Sequence, residues 1–274
     1  MADDDRPVLT TGANSGLGLA TTIELARRGF RSIGSVRSEA KAEVVHDAAD
    51  DAGVEVETVI LDVSDAEQCA EVVPPLDLFG LVNNAGYSVT GAVEEVTDDE
   101  ARAVLETMTV APMRLARLAL PAMRGRGGGR IVNISSIYGR TTTPFTGWYQ
   151  AAKHGLEGVS DALRVEVARD GIHVALVEPG AFRTNIFNEA QRDIEGRGDS
   201  PYGSGYRRSM QAMRLFEPLM GDPVSVARLV ARILTTPVPR ARYLAGRDAM
   251  AIALTEQVTP TFLKDRVTRL VLGL

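Results

Sequence analysis

Pro7-Val8-Leu9-Thr10-Thr11-Gly12-Ala13-Asn14-Ser15-Gly16-Leu17-Gly18 reads as a short apolar strand that runs into a glycine turn, and the residues after it continue as a helix to position 28. Strand, glycine turn and helix start, in that order, make a cradle for a pyrophosphate. Positions without side chains let the backbone come close, and the first turn of a helix presents unpaired N–H groups at the positive end of its dipole. Gly12, Asn14, Ser15, Gly16, Leu17 and Gly18 are the candidate cofactor contacts of this turn. Glycine spacing alone is common; the flanking strand and helix give it its meaning.

Outward from the turn the chain alternates. Strand patterns over 31–36, 55–61, 79–82, 130–135, 172–177 and 242–245 are separated by helical patterns over 39–52, 98–123, 149–169 and 223–235. Alternation of this kind predicts an α/β fold, one domain over 1–274 with a doubly wound parallel sheet of the Rossmann type and its ligand at the carboxyl ends of the strands. The residues at those ends are therefore candidates: Arg37 after the second strand, Asp62 and Val63 after the third, Asn84, Ala85 and Gly86 after the fourth, Pro179 and Gly180 after the sixth. An NAD-type site places an acid near the end of the second strand to hold the ribose 2'-hydroxyl. Ser35 and Val36 are not acids, and Arg37 suits a 2'-phosphate, so NADP(H) is expected over NAD(H), with Glu39 the one neighbour that speaks for the latter. Asp62 can accept from an adenine amino group, and the small residues 84–86 leave room for a ribose.

Tyr149-Gln150-Ala151-Ala152-Lys153 holds the candidate chemistry. Residues four apart share a helix face, so an ammonium lies close to a phenol. A free phenol with a pKa near ~10 keeps its proton too tightly for acid–base work at neutral pH, and a nearby positive charge is expected to lower it. Ser136, at the tip of the strand over 130–135, adds a hydroxyl that can point at the same substrate oxygen. Only Lys41, Lys153 and Lys264 are lysines among thirty basic residues, so a lysine here marks a need for a compact charge on a flexible stem.

A chain of 274 residues, 45% hydrophobic and 24% charged, is long enough for one large well-buried domain. Its net charge of -6 argues against nucleic acid and for a small-molecule partner. The acidic opening Met1-Ala2-Asp3-Asp4-Asp5 lacks the basic start of a signal peptide, and no apolar run reaches the ~18 residues of a membrane span, so a cytoplasmic protein is expected. One cysteine, Cys69, excludes an intrachain disulfide, and His46, His154 and His173 have no metal-ligand spacing. His154, although next to Lys153, faces away from it on a helix.

These motifs, in this order and spacing over residues 6 to about 250, resemble the short-chain dehydrogenase/reductase family. The resemblance implies that Tyr149 exchanges the proton with substrate, Ser136 holds the substrate oxygen, Lys153 tunes Tyr149 and binds the nicotinamide ribose, and Thr184 meets the carboxamide. It implies a homodimer or homotetramer as well. Two departures stand out: Ala152 replaces the family's usual Ser, and Met108 replaces the Asn in the middle of the long helix whose main-chain carbonyl holds a proton-relay water. Met is a good helix former, so Met108 is expected to leave that helix closed and turnover slow. Residues 185–222, with a Gly- and Ser-rich centre at 196–205 flanked by Phe187, Tyr202, Tyr206, Met210, Met213, Phe216 and Met220, are expected to form a mobile lid resembling that of family members that act on steroids or retinoids. A helical extension over 247–274 carries the apolar stripe Phe262, Leu263, Val267, Leu270 and Val271. The expected activity is hydride transfer between NADP(H) and the carbon of an apolar secondary alcohol or ketone. The alternatives are reduction of a 3-oxoacyl thioester and an NADP-binding regulator without turnover.

Overall fold

Strands of a parallel sheet are covered on both faces and so read as unbroken apolar runs. In the computed structural model, which describes residues 6–183, 186–197 and 199–274 with the side chains of 186–188, 216, 219 and 257 left aside, seven such runs pair in parallel. They are β1 (Pro7–Thr11), β2 (Arg31–Val36), β3 (Glu57–Ile60), β4 (Gly80–Asn83), β5 (Gly129–Ile134), β6 (Ile172–Pro179) and β7 (Arg242–Ala245). The order is β3-β2-β1-β4-β5-β6-β7. The winding reverses between β1 and β4, and a crevice opens there beyond the carboxyl ends. β3 is shorter than its pattern suggests, since its pairing with β2 runs only from Glu57 to Ile60.

Successive residues of each strand face opposite layers, which makes two cores from one sheet. Leu9, Leu81 and Ile131 face α3 (Ala66–Val72) and α5 (Ala111–Gly125), where Leu115, Ala119 and Met123 meet them. Val8, Val82, Val132 and Val177 face the other layer, with Leu25 of α1 (Gly16–Arg27) and Val226, Val230 and Leu234 of α9 (Pro223–Thr235). α2 (Glu39–Ala52) adds Val45 beside β2, and α4 (Asp98–Leu105) and α6 (Gly147–Glu166) complete the cover. Truncating a fully buried side chain such as Leu115 to Ala costs ~2–5 kcal/mol, enough to consume a large share of a domain's net stability.

The helix expected over 98–123 is two helices joined by a π-helical turn at Glu106–Val110, where the Ala111 N–H reaches back to the Glu106 carbonyl. Asp98 and Asp99 lie in the first turn but do not cap it. Thr97 does, in a capping box with Glu100: Thr97 Oγ1 accepts from the Glu100 N–H at 3.3 Å and Glu100 Oε2 accepts from the Thr97 N–H at 2.8 Å. The π turn corrects the expectation that Met108 leaves the helix closed. Its cause is Pro112, four residues on, which has no N–H to give the Met108 carbonyl and whose ring crowds that carbonyl out of the ladder. Thr109 secures the opened turn by donating from Oγ1 to the Ala152 carbonyl at 2.8 Å. Met108 itself is fully buried among Val89, Val104, Ala152 and Tyr149. Met108→Asn therefore gains no opening that Pro112 has not already made and buries an amide in an apolar cluster. It should destabilise the protein by ~1–3 kcal/mol in urea unfolding, without a rise in kcat.

The segment expected to form a lid is largely helical among the described residues. α7 (Ile186–Gly196) and α8 (Gly203–Phe216) occupy most of the segment, and Asn185 and the side chains of Phe187 and Phe216 fall outside the described residues. Polar bonds tie these helices to the stretch after β4: Asp193 Oδ2 accepts from the Thr90 N–H at 2.8 Å, and Arg197 binds Glu100 at 2.8 Å. Buried Tyr206 bonds Glu95 through its hydroxyl and packs at a tilt against Phe145, ring centroids 4.6 Å apart. The expected C-terminal extension is a helix pair, α10 (Arg247–Val258) and α11 (Thr261–Leu272), and Phe262, Leu263, Val267, Leu270 and Val271 are exposed on it. No helix among the described residues is long and apolar enough to cross a membrane.

Candidate active site

At the switch point Thr11 fastens the glycine turn to β4. Its Oγ1 accepts from the N–H groups of Asn84 and Ala85, each at 2.9 Å, and Asn84 Nδ2 donates to the Thr11 carbonyl at 2.8 Å. This draws helix and strand so close that a Cβ on Gly18 would lie 2.2 Å from the Gly12 carbonyl oxygen. Only glycine fits. Ser15, the N-cap of α1, is exposed and makes no capping bond into its own helix, which leaves its hydroxyl and the first-turn N–H groups of Gly16, Leu17 and Gly18 to face outward. Asn14 and Leu17 flank them, half-buried.

Arg37 follows β2, exposed and without a hydrogen bond or ion pair among the described residues. Asp62, after the neighbouring strand β3, accepts from the Ser64 N–H at 2.9 Å and its hydroxyl at 2.6 Å, both on Oδ1. Partial burial works against its charge, but the Ser64 bonds and the nearby Arg37 and Lys41 hold its carboxyl below the usual range. Val63 is buried and its carbonyl accepts from Arg114 at 2.9 Å. Ala85 and Gly86 follow β4 with increasing exposure. Pro179 ends β6; the Gly180 N–H bonds the Ala245 carbonyl at 2.9 Å, and Asp248 Oδ2 accepts from the Ala181 N–H at 2.6 Å, fixing the next loop. Thr184 lies outside the described residues. The turn, the unspent helix start and an uncommitted guanidinium at the crevice rim are the shape and charge that a phosphorylated dinucleotide calls for.

Ser136 follows β5 and caps a short 3-10 turn, its Oγ accepting from the Tyr138 N–H at 3.1 Å. Tyr149 sits in the first turn of α6 and Lys153 in the next. The Tyr138 ring meets Tyr149 edge-on, centroids 6.4 Å apart. Lys153 Nζ donates to the Ile134 carbonyl at 2.8 Å and lies 5.8 Å from the centre of the Tyr149 ring. The three polar side chains are thus brought together, as their spacing predicts.

Their electrostatics differ from expectation. Burial pushes the Tyr149 phenol up to about 12, with a hydrogen bond from Ser136 pulling it down and Tyr138 pushing it further up. Burial also pushes the Lys153 ammonium down to about 8, against the pull of Glu157. The ammonium is anchored to the strand-end carbonyl and approaches the ring rather than neutralising a phenolate. Held there, the phenol keeps its proton at neutral pH. His154 is exposed with Nδ1 against the Gln150 carbonyl at 2.9 Å, clear of the site. Among the described residues no cluster of side chains could hold a metal ion.

Three participants have roles that their local sequence does not reveal. Thr11 was visible as a hydroxyl next to the glycine turn. Pro112 was visible as a helix breaker inside an apolar pattern. Tyr138, whose ring walls Tyr149, had no distinguishing signal.

Known proteins carry the same architecture. The family model described as short chain dehydrogenase matches residues 6–195. Retinol dehydrogenase 7 of Rattus norvegicus is 34% identical over 284 residues, spanning 96% of this chain and 87% of the rat protein. A short-chain dehydrogenase from Streptomyces avermitilis superposes with a TM-score of 0.79 at 33% identity, covering 98% of this chain and 97% of its own. A single-substitution variant of actinorhodin polyketide ketoreductase, solved with NADPH, superposes at 0.78 with 29% identity over 91% of this chain and 98% of its own. A doubly wound sheet with a dinucleotide cradle beside a phenol, a hydroxyl and an ammonium defines a nicotinamide-dependent oxidoreductase. The chain belongs to the short-chain dehydrogenase/reductase family.

Proposed function

We propose that this protein reduces a ketone carbon of an apolar substrate, of steroid, retinoid or similar shape, with NADPH, or runs the reverse oxidation. The observation that carries the reading is the meeting of Ser136, Tyr149 and Lys153 beside the Gly12–Gly18 cradle. In that cradle the N–H groups of the α1 start and Ser15 hold the pyrophosphate, Arg37 the 2'-phosphate, Asp62 and Val63 the adenine, and Asn84, Ala85 and Gly86 the ribose. Pro179 and Gly180 border the nicotinamide, which when bound supplies or accepts the hydride.

Tyr149 donates its proton to the carbonyl oxygen as charge builds there, and Ser136 holds that oxygen in reach. Lys153 places a positive charge beside the phenol and lowers the cost of leaving it a phenolate. A phenol pushed up to about 12 keeps its proton at neutral pH, and the charge that Lys153 places beside it is what eases the proton's release to the substrate oxygen. Met108, Val89 and Trp148 in one apolar cluster with Tyr149, and Tyr138 edge-on to it, favour a substrate with little polarity around the reacting carbon. The likeness to retinol dehydrogenases agrees with that preference. A second reading, reduction of a 3-oxoacyl thioester, has the likeness to a polyketide ketoreductase behind it.

A panel of steroid, retinoid and aliphatic ketones with 3-oxoacyl thioesters, followed by NADPH absorbance, tests the assignment. Turnover confined to the apolar ketones supports it, turnover confined to thioesters selects the second reading, and cofactor binding with no turnover of any member makes the protein a regulator.

A further inference from the structure

One turn beyond Lys153, on the same face of α6, stands Glu157, and around it is a cluster of buried charge that the substrate side of the site does not use. Lys153 is 5% exposed, Glu157 7% and Glu178 fully buried. Arg242, at the start of β7, donates from Nε to Glu157 Oε2 at 2.9 Å and lies 3.3 Å from Glu178 Oε1; its Nη2 reaches Asp161 at 2.5 Å. Arg140, just after the 3-10 turn, donates to Glu178 Oε1 at 2.8 Å. The groups that face one another are thus Lys153, Glu157, Asp161 and Arg164 from α6, with Arg164 Nη2 donating to Asp161 Oδ1 at 3.0 Å, Arg140 from the turn, Glu178 from β6 and Arg242 from β7. Arg164 serves Asp161 and Arg140 serves Glu178, whose carboxyl burial pushes up, so Glu157 is left with Arg242, which it shares, and with Lys153.

The second oxygen of Glu157 is not part of the arginine bonding. Oε1 is buried and without a hydrogen-bond partner among the described residues, as is Ser135 Oγ on the adjoining strand end. Both border the place where a Cβ on Gly139 would sit, at 3.2 and 2.7 Å, so a glycine there leaves that side of the carboxylate unfilled. A buried carboxylate with an uncommitted oxygen is costly unless a nearby positive charge compensates it. Arg242 is divided among three carboxylates. The remaining cation within one helical turn is Lys153.

We infer that Glu157 is the counter-charge that keeps the buried Lys153 an ammonium, and that Arg242, arriving from the last strand, is the positioning residue that holds Glu157 in place. The inference deepens the catalytic reading of Lys153 and rests on it for its functional consequence. Burial alone drives a lysine toward its neutral form, and Glu157 is the one neighbour that pulls Lys153 back. Glu157 and Arg242 thus act through Lys153, not on the reacting atoms.

The chain's three lysines make a direct test practical. Protein labelled with 15N-lysine gives three side-chain signals, assigned by Lys41→Arg and Lys264→Arg, and their pH titration is followed in the cofactor-free enzyme. In Glu157→Gln the Lys153 midpoint should fall by about one pH unit or more. Glu157→Asp should show a smaller fall, and Arg242→Met an intermediate one. Asp161→Asn removes a carboxylate from the same cluster without the helical stacking on Lys153 and should leave the midpoint near that of wild type. An unchanged midpoint in folded Glu157→Gln overturns the inference; if that variant does not fold, an unchanged midpoint in Glu157→Asp and Arg242→Met does so. A fall in Asp161→Asn as large as in Glu157→Gln also overturns it, since any loosening of the cluster would then suffice. With an active ketone in hand, the basic limb of the reduction profile should move down with the midpoint, whereas a merely structural defect lowers activity at every pH without moving the limb. Because the titration needs no turnover, an enzyme inactive on every substrate sinks the catalytic reading while leaving this one measurable.

Discussion

Tyr149→Phe should lower ketone turnover by ~10²-fold or more, the contribution of a positioned general acid, while NADPH binding stays within a fewfold of wild type. The ring remains to fill its place between Tyr138 and the apolar cluster around Met108, so folding is not the cause. What is lost is the proton carrier. The pH dependence of the wild type makes the same point from the other side. Reduction needs a protonated phenol, which a pKa of about 12 guarantees, and a charged Lys153, whose pKa is about 8. Lys153 carries its charge below that value and loses it above, so the reduction rate should hold at neutral pH and fall as pH rises through about 8. A mutant that reduces the best ketone at a rate near wild type would take Tyr149 out of the mechanism.

Local pattern carried the fold. Strand, turn and helix each announce themselves within a dozen residues: the β1 run, the glycine turn, the Asp222-Pro223 start of α9, where Asp222 Oδ1 accepts the Val224 N–H at 3.0 Å. The same locality placed Tyr149, Lys153 and Ser136, because one helix and one strand tip fix them. Features whose cause and effect lie far apart in sequence were not legible. The phenol's pKa depends on how deeply a ring is covered by neighbours on other elements, and the direction of Lys153 depends on a carbonyl nineteen residues earlier. Pro112 is the instructive middle case. Its missing N–H acts only four residues away, yet the apolar periodicity around it reads as an uninterrupted helix, and a residue judged at Met108 alone gives the wrong answer. The charge cluster behind Lys153 is the extreme: Arg242 is separated from Glu157 by 85 positions, and only the pairing of β7 with β6 brings them together.

Arg37→Asp should reverse cofactor choice, shifting the ratio of NADPH to NADH affinity by about 10²-fold, as expected for the loss of one or two charge-assisted bonds worth ~1.5–3 kcal/mol each and their replacement by repulsion. Equilibrium titration of nicotinamide fluorescence measures this without turnover, so slow chemistry cannot mask it. The site is well suited to the substitution. Arg37 is exposed at the strand end with no bond to break among the described residues, so stability should change by no more than ~0.5 kcal/mol. Electrostatics supply a second readout. Arg37 and Lys41 both help hold the Asp62 carboxyl below its usual range, so in Arg37→Asp that carboxyl should titrate at higher pH, and its apparent pKa by NMR should rise even without cofactor. If Asp62 moves and the affinity ratio does not, the charge at the rim has been changed where no phosphate lies. The 2'-phosphate must then be held elsewhere, with Lys41 at the start of α2 the next cation to test.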